Sequence, residues 1–384
     1  MKVALVHDWL TGMRGGEHVL EVLCELFPEA PVHTLLWIRG TVSPAIESRR
    51  IVTSALQWMP GSARHYRRYL PIFPLFIRSF DLSPYDLVIS TSHCAAKGVR
   101  VGDHALHISY LHAPMRYVWD KYFDYFTGED RPTRGPNPII DVTLNLLRKW
   151  DYRTSGRVDH YLANSINIAR KIEAFYGREA EVIYPPVDCR RFRVGEGTGE
   201  YYLYVGAFVP YKRVELAVEA CRMLGRPLVV VGGGPQAKDI REVAKGAPWI
   251  RFLGWQRHED LAIHYSRCLA LLFPADEDFG IVPLEAMASG RPVVAYGRGG
   301  ALETVAAGEE IIELKDPVRV AGGVLFPEQS VESLMDGIRL LESESFDPLL
   351  LRRRAEEFDR EIFKEKLRGV IERKWESRHP GRGR

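Results

Sequence analysis

The sequence predicts an α/β protein built from two doubly wound domains, and three observations carry that expectation. Short buried apolar runs alternate with helix-spaced amphipathic segments through both halves of the chain. The glycine-rich and charged stretches fall at the carboxyl ends of those runs, the edge at which open α/β sheets bind ligands. The length, 384 residues, is too great for one ordinary core and suits two. Lys plus Arg total 52 against 50 Asp plus Glu, a net charge of +2, which argues against nucleic acid as a main partner. Five cysteines are scattered without a C-x-x-C pair, as expected of a reducing compartment without structural zinc. The first apolar run turns polar after Val6, too soon for a signal-peptide core, and no run approaches the ~20 residues of a spanning helix. These features place the protein in the cytoplasm, at most peripheral to a membrane.

Residues 2–6 read as a strand that opens into His7, Asp8 and the turn Thr11-Gly12-Met13-Arg14-Gly15-Gly16 ahead of a helix. Such a turn lets backbone approach an anion. It is not a dinucleotide fingerprint, because the glycines are not spaced G-x-G-x-x-G and no acidic residue ends the next strand, 32–37. Residues 62–80 mix Arg64, Arg67, Arg68 and Arg78 with aromatic and aliphatic side chains, and fit either an anionic membrane surface or a solvated helix pair broken at Pro71 and Pro74. Strand 87–90 leads to His93 and Lys97. Strand 107–111 leads to His112-Ala113-Pro114-Met115-Arg116 and on to Asp120. Residues 121–150 read as an insertion with a Pro- and Gly-rich loop at 128–138, a candidate acceptor lid. Strand 159–163, a helix capped by Asn164-Ser165 and strand 181–184 complete this half, and the Gly-rich stretch 193–199 reads as a linker.

In the second half, strand 201–205 opens into Gly206-Ala207 and then Lys212-Arg213 at a helix start, where two cations oppose the helix dipole unless an anion offsets them. Strand 228–231 ends in Gly232-Gly233-Gly234, and strand 250–253 ends in Gly254-Trp255-Gln256. Strand 269–273 opens into a loop carrying Glu277, and a helix follows with Pro283 near its start, Glu285 in its first turn and Gly290 past its end. Carboxylates beside free first-turn amides suit pairs of sugar hydroxyls, although glutamates also serve there simply as complements to the helix dipole. Strand 292–295 leads to the amide-rich loop 297–301. Residues 349–378 keep helical spacing through Phe358, Ile362, Leu367 and Ile371, and the tail 379–384 is expected to be disordered.

The stretch from Glu277 to Glu285 resembles the Glu-seven-Glu signature of retaining glycosyltransferases of family 4, whose fold is GT-B. HDWLTGMRGGE, HAPMRYVWD, YLANS, VIYPPVD and GAFVPYKRVELAVEA extend the resemblance over nearly the whole chain, towards bacterial mannosyltransferase-like members. The resemblance implies two Rossmann-like domains facing a cleft, with a C-terminal helix crossing back to the first. The domains would be 1–192 on the acceptor side and 200–357 on the donor side, joined by 193–199, with 358–384 as crossing helix and tail. It implies catalytic roles for His112 and Glu277, which would lie over and hold the transferred sugar. Gly280, Ile281 and Val282 would bind the sugar through backbone amides, and Glu285 the nucleotide ribose. Gly15, Gly16 and Lys212 would face the diphosphate. The Arg usual after the glycine is Ala207 here, which leaves Arg213 or a residue of the first half to supply that charge. Arg14, His93, Lys97 and Arg116 are the acceptor candidates.

The activity so implied moves a hexose, mannose from GDP-mannose, to a glycan or lipid-linked acceptor without a metal or cofactor. A UDP-hexose donor is the alternative within the fold. A nicotinamide oxidoreductase or a non-catalytic sugar-nucleotide binder is the alternative outside it.

Overall fold

The computed structural model describes residues 1–119, 138–307 and 314–380. Asp120, most of the 128–138 loop and the last four tail residues lie outside them. Contacts divide the chain into two compact units, Met1–Pro186 with Phe363–Arg384, and Val187–Ile362.

The first unit is built on seven strands: β1 (Val3–His7), β2 (Val32–Thr34), β3 (Ile51–Thr53), β4 (Leu87–Ser92), β5 (Leu106–Leu111), β6 (His160–Ala163) and β7 (Ala180–Val182). Their order is β3-β2-β1-β4-β5-β6-β7, and all neighbours are parallel. A parallel sheet is covered on both faces, so alternate residues of one strand enter different cores. Leu5, Ile89 and Ile108 pack with Val19, Leu20 and Leu23 of the helix Gly15–Leu26, whereas Ala4, Val6 and Val88 pack on the other side with Trp9, Phe73 and Ile77.

The second unit repeats the plan with β8 (Tyr201–Val205), β9 (Leu228–Val231), β10 (Ile250–Gly254), β11 (Cys268–Phe273), β12 (Val293–Tyr296), β13 (Val318–Val320) and β14 (Gly323–Phe326). The order is β10-β9-β8-β11-β12-β14-β13, parallel except for the antiparallel edge strand β13. Tyr202, Tyr204, Val230, Leu272 and Val294 form its core with the helices Val214–Leu224 and Val331–Ser343.

Two expectations change. The stretch 349–378 is two helices, Pro348–Glu356 and Arg360–Arg378. They part where Val187 pairs with the chain: its N–H donates to the Phe358 carbonyl (3.0 Å), and its carbonyl accepts from Arg360 N–H (3.0 Å). Phe363, Leu367, Val370 and Ile371 of the last helix are buried in the core beneath Leu5 and Ile89. Residues 193–199, expected as a linker, are bound into the second unit. The buried Arg291 guanidinium donates to the carbonyls of Glu196, Gly197 and Ser266, leaving no free tether there.

Candidate active-site residues in the two units

Both sheets reverse direction of winding at their centre, at β1/β4 in the first unit and at β8/β11 in the second, and loops at such a switch point splay apart to leave room for a ligand. The candidate residues collect at these two places.

In the first unit Asp8, one residue past β1, accepts four backbone N–H groups from the loop after β4. These come from His93 (2.7 Å), Cys94 (2.9 Å), Ala95 (2.6 Å) and Ala96 (2.7 Å). A buried carboxylate with that many donors is a rigid fastener, so the loops on either side of the switch point move as one piece. The His93 ring Nδ1 lies 3.2 Å from the same carboxylate and is one-third exposed, edge-on to Trp9.

Behind it His7 Nδ1 meets Thr91 Oγ1 at 2.6 Å, and His7 Nε2 lies 3.6 Å from Glu17. Burial alone would raise the Glu17 carboxyl, but attraction to the nearby His7 ring, helped by His93, holds it below the ordinary range. Glu17 Oε2 also accepts from Arg14 N–H at 3.0 Å, which fixes the turn into the helix that starts at Gly15; the Arg14 side chain is exposed. An added Cβ at Gly16 would stand 3.4 Å from both His112 Nε2 and the His7 ring, so the helix start lies directly against these two imidazoles. The His112 carbonyl accepts from Asn164 Nδ2 at 3.0 Å. Burial, with the charges of His93, His7 and Arg116, pushes its ring far below the usual imidazole range, leaving it neutral.

Lys97 takes a different place from the one expected of an acceptor contact. It is fully buried, with Nζ 2.9 Å from Asp151, whose other oxygen accepts from Tyr176 (2.7 Å) and Trp119 (2.8 Å). The pair ties the loop after β4 to the helix Pro138–Ser155, and removing one partner of such a pair costs about 3–5 kcal/mol.

In the second unit Lys212, from the loop after β8, is ion-paired with Glu277, from the loop after β11, so one salt bridge spans the switch point. Arg213 beside it holds a left-handed backbone (φ 51°), costing about 1–3 kcal/mol for a side chain that large, and stands 3.6 Å from Glu215. Gly280 precedes the helix Ile281–Ala288 with φ 88°, and an added Cβ would press on the Phe273 ring at 3.3 Å. Gly280, at the N-cap, brings no side chain to cap that helix, so its first-turn amides at Ile281 and Val282 keep the geometry that suits an oxygen-rich ligand. Glu285 accepts a 2.7 Å hydrogen bond from Tyr265 Oη. Gly300 N–H donates to the Glu277 carbonyl at 2.8 Å, holding the loop after β12 against the Glu277 loop. Of the three glycines after β9, Gly232 and Gly234 press on the backbone of residues 206–208, and Gly233 has open space beside it.

Comparison with known proteins identifies the family and the fold. The family model "Glycosyltransferase Family 4" matches residues 13–191, and "Glycosyl transferases group 1" matches residues 190–361. The Anabaena protein Alr3699/HepE in complex with UDP-glucose superimposes with a TM-score of 0.66 at 15% identity, covering 97% of this chain and 100% of that one. The molecule is therefore a two-domain α/β protein of the GT-B fold. The chain belongs to glycosyltransferase family 4.

A D-inositol 3-phosphate glycosyltransferase of Geodermatophilus obscurus is 32% identical over 203 residues, 44% of this chain and 45% of that protein. The O-antigen chain mannosyltransferase RfbU of Salmonella typhimurium is 30% identical over 175 residues, 43% of this chain and 49% of that protein. The chain thus spans about half the length of the curated relatives it matches.

Proposed function

We propose that this protein is a retaining glycosyltransferase that moves a hexose from a nucleotide sugar to a glycan or lipid-linked acceptor, with GDP-mannose as donor, at the cytoplasmic face of a membrane. The observation that carries the reading is the Lys212–Glu277 pair at the second switch point, with Glu285 and the uncapped helix start beside it. A fixed cation for a leaving diphosphate, a carboxylate for sugar hydroxyls and a second carboxylate for a ribose are the groups such a transfer needs.

In the proposed reaction the bond between the sugar's anomeric carbon and the diphosphate oxygen breaks. The acceptor oxygen forms its bond to the same face, and its proton passes to the departing diphosphate. Lys212 would neutralise that leaving group, Arg213 or a first-unit cation would stand in for the arginine absent at Ala207, and the neutral His112 would bind a sugar hydroxyl. Arg14, His93 and Arg116 remain the acceptor candidates.

Mannose is favoured by the likeness to the RfbU mannosyltransferase. A UDP-hexose donor is the second reading, favoured by the fold shared with a protein that binds UDP-glucose.

The test is a pair of substitutions. Glu285→Gln should raise the donor KM by the equivalent of about 1.5–3 kcal/mol, the usual worth of a hydrogen bond to a charged group. Glu277→Gln should fall mainly on kcat. Equal and small effects from both would return the two carboxylates to the role of helix-dipole complements.

A further inference from the structure

Tyr265 is a large polar side chain hydrogen-bonded to Glu285 for which the reaction as proposed has no use. It lies in the helix His258–Arg267, is fully buried, and its ring stands edge-on to Phe192 at 5.7 Å. Its hydroxyl donates to Glu285 Oε2 at 2.7 Å. Burial first, then the Glu285 charge, pushes the phenol far above its usual range, so it donates throughout the working pH range. We propose that Tyr265 is a positioning residue that fixes the rotamer of the Glu285 carboxylate and thereby sets affinity for the ribose of the nucleotide. The inference rests on Glu285 being the ribose-binding group, as proposed above.

The physical argument is one of freedom. A glutamate on a helix has three rotatable bonds and loses side-chain entropy when held in one geometry. A hydrogen bond from a donor that cannot itself move makes that loss part of folding and not of binding. The Tyr265 ring is locked by complete burial, and its helix runs straight into β11, the strand that also delivers Glu277. The carboxylate has about four acceptor sites, of which the phenol takes one on Oε2, so holding it does not exhaust its capacity for a diol. Tyr265 touches no substrate in this scheme and is not a catalytic residue.

The experiment is calorimetric titration of the full chain with GDP and with 2′,3′-dideoxy-GDP, and with the uridine pair if UDP binds more tightly. Wild type, Tyr265→Phe, Glu285→Ala and the double variant are compared, with thermal midpoints measured without ligand. Tyr265→Phe removes one oxygen and keeps the ring, so the fold is expected to persist. The proposal predicts that Tyr265→Phe weakens the diphosphate about five- to tenfold, leaves the dideoxy analogue unchanged, and has no further effect in the Glu285→Ala background. In turnover the loss should appear in donor KM and not in kcat. Equal weakening of both ligands, or additive losses in the double variant, would mark Tyr265 as a general packing residue and overturn the inference. So would an unchanged affinity for the ribose-bearing ligand. If wild type itself binds both ligands equally and Glu285→Ala changes neither, the ribose role of Glu285 fails, and the inference falls with its premise.

Discussion

His33 and His107 are buried in the first unit, and loss of hydration pulls the pKa of each ring to about 4. His107 Nε2 is hydrogen-bonded with Ser90 Oγ at 2.9 Å, and His33 lies edge-on to Phe80 and Tyr85. In the unfolded chain both titrate near 6.5. Between about pH 6.5 and 4 the unfolded chain binds protons that the folded one refuses, so their effect is absent above that window and destabilises the fold as pH falls through it. Each ring contributes a slope of about 1.4 kcal/mol per pH unit. Denaturation midpoints from pH 7 to 4 should show His107→Gln less acid-sensitive than wild type by about that slope, and parallel profiles would contradict it. Residue-scale features were unevenly legible. Glu277, Glu285, Lys212 and His112 stood out through the family resemblance of the stretches that carry them, and His112 also because it directly follows the strand Leu106–Leu111. The Asp8 clamp was not visible, since its partners lie 85–88 positions away, and neither was Tyr265, 20 positions from Glu285 on a helix with no mark of its own.

Among the elements, residues 62–78 fold as a short helix, a 3₁₀ stretch with Pro71 inside and a second short helix. Tyr66, Phe73 and Ile77 are buried, while Arg64, Arg67, Arg68 and Arg78 are exposed with Leu75 (68%) and the nearby Trp58 (85%). We propose that the exposed Trp and Leu among four arginines meet a lipid headgroup layer, where each cation is worth about 1 kcal/mol against an anionic surface and is screened by salt. The protein should therefore co-sediment with phosphatidylserine vesicles at low ionic strength and be released as salt rises. No binding at low salt would leave the arginines solvated. Elements set by local sequence, such as Tyr201–Val205 and Leu228–Val231, were legible to the residue, because punctuating glycines or a proline bound each run. The three-residue strands β3 and β13 carry too little pattern to read, and the break at residues 357–359 depends on pairing with Val187 from far along the chain.

At the scale of the whole molecule, two doubly wound sheets each present their loops at a switch point, and that plan was legible because strand and helix periods alternate throughout. Where one unit ends and the next begins was less so. Composition marks a Gly-rich stretch, but only the Arg291 hydrogen bonds reveal that it belongs to the second unit. A leaving diphosphate needs its charge neutralised, by a divalent ion or by fixed cations and amides. Lys212, Arg213 and the uncapped helix start offer the second means, so turnover should survive EDTA. Loss of activity that added magnesium restores would contradict this.

The identity of the donor is decided by calorimetry against a panel of sugar nucleotides. No base-reading side chain marks the donor in the sequence, so discrimination has to come from pocket shape and from polar groups that the wrong ligand leaves unpaired. GDP-mannose should bind more tightly than UDP-glucose, UDP-galactose or UDP-N-acetylglucosamine, and tighter binding of any UDP-sugar would contradict the account.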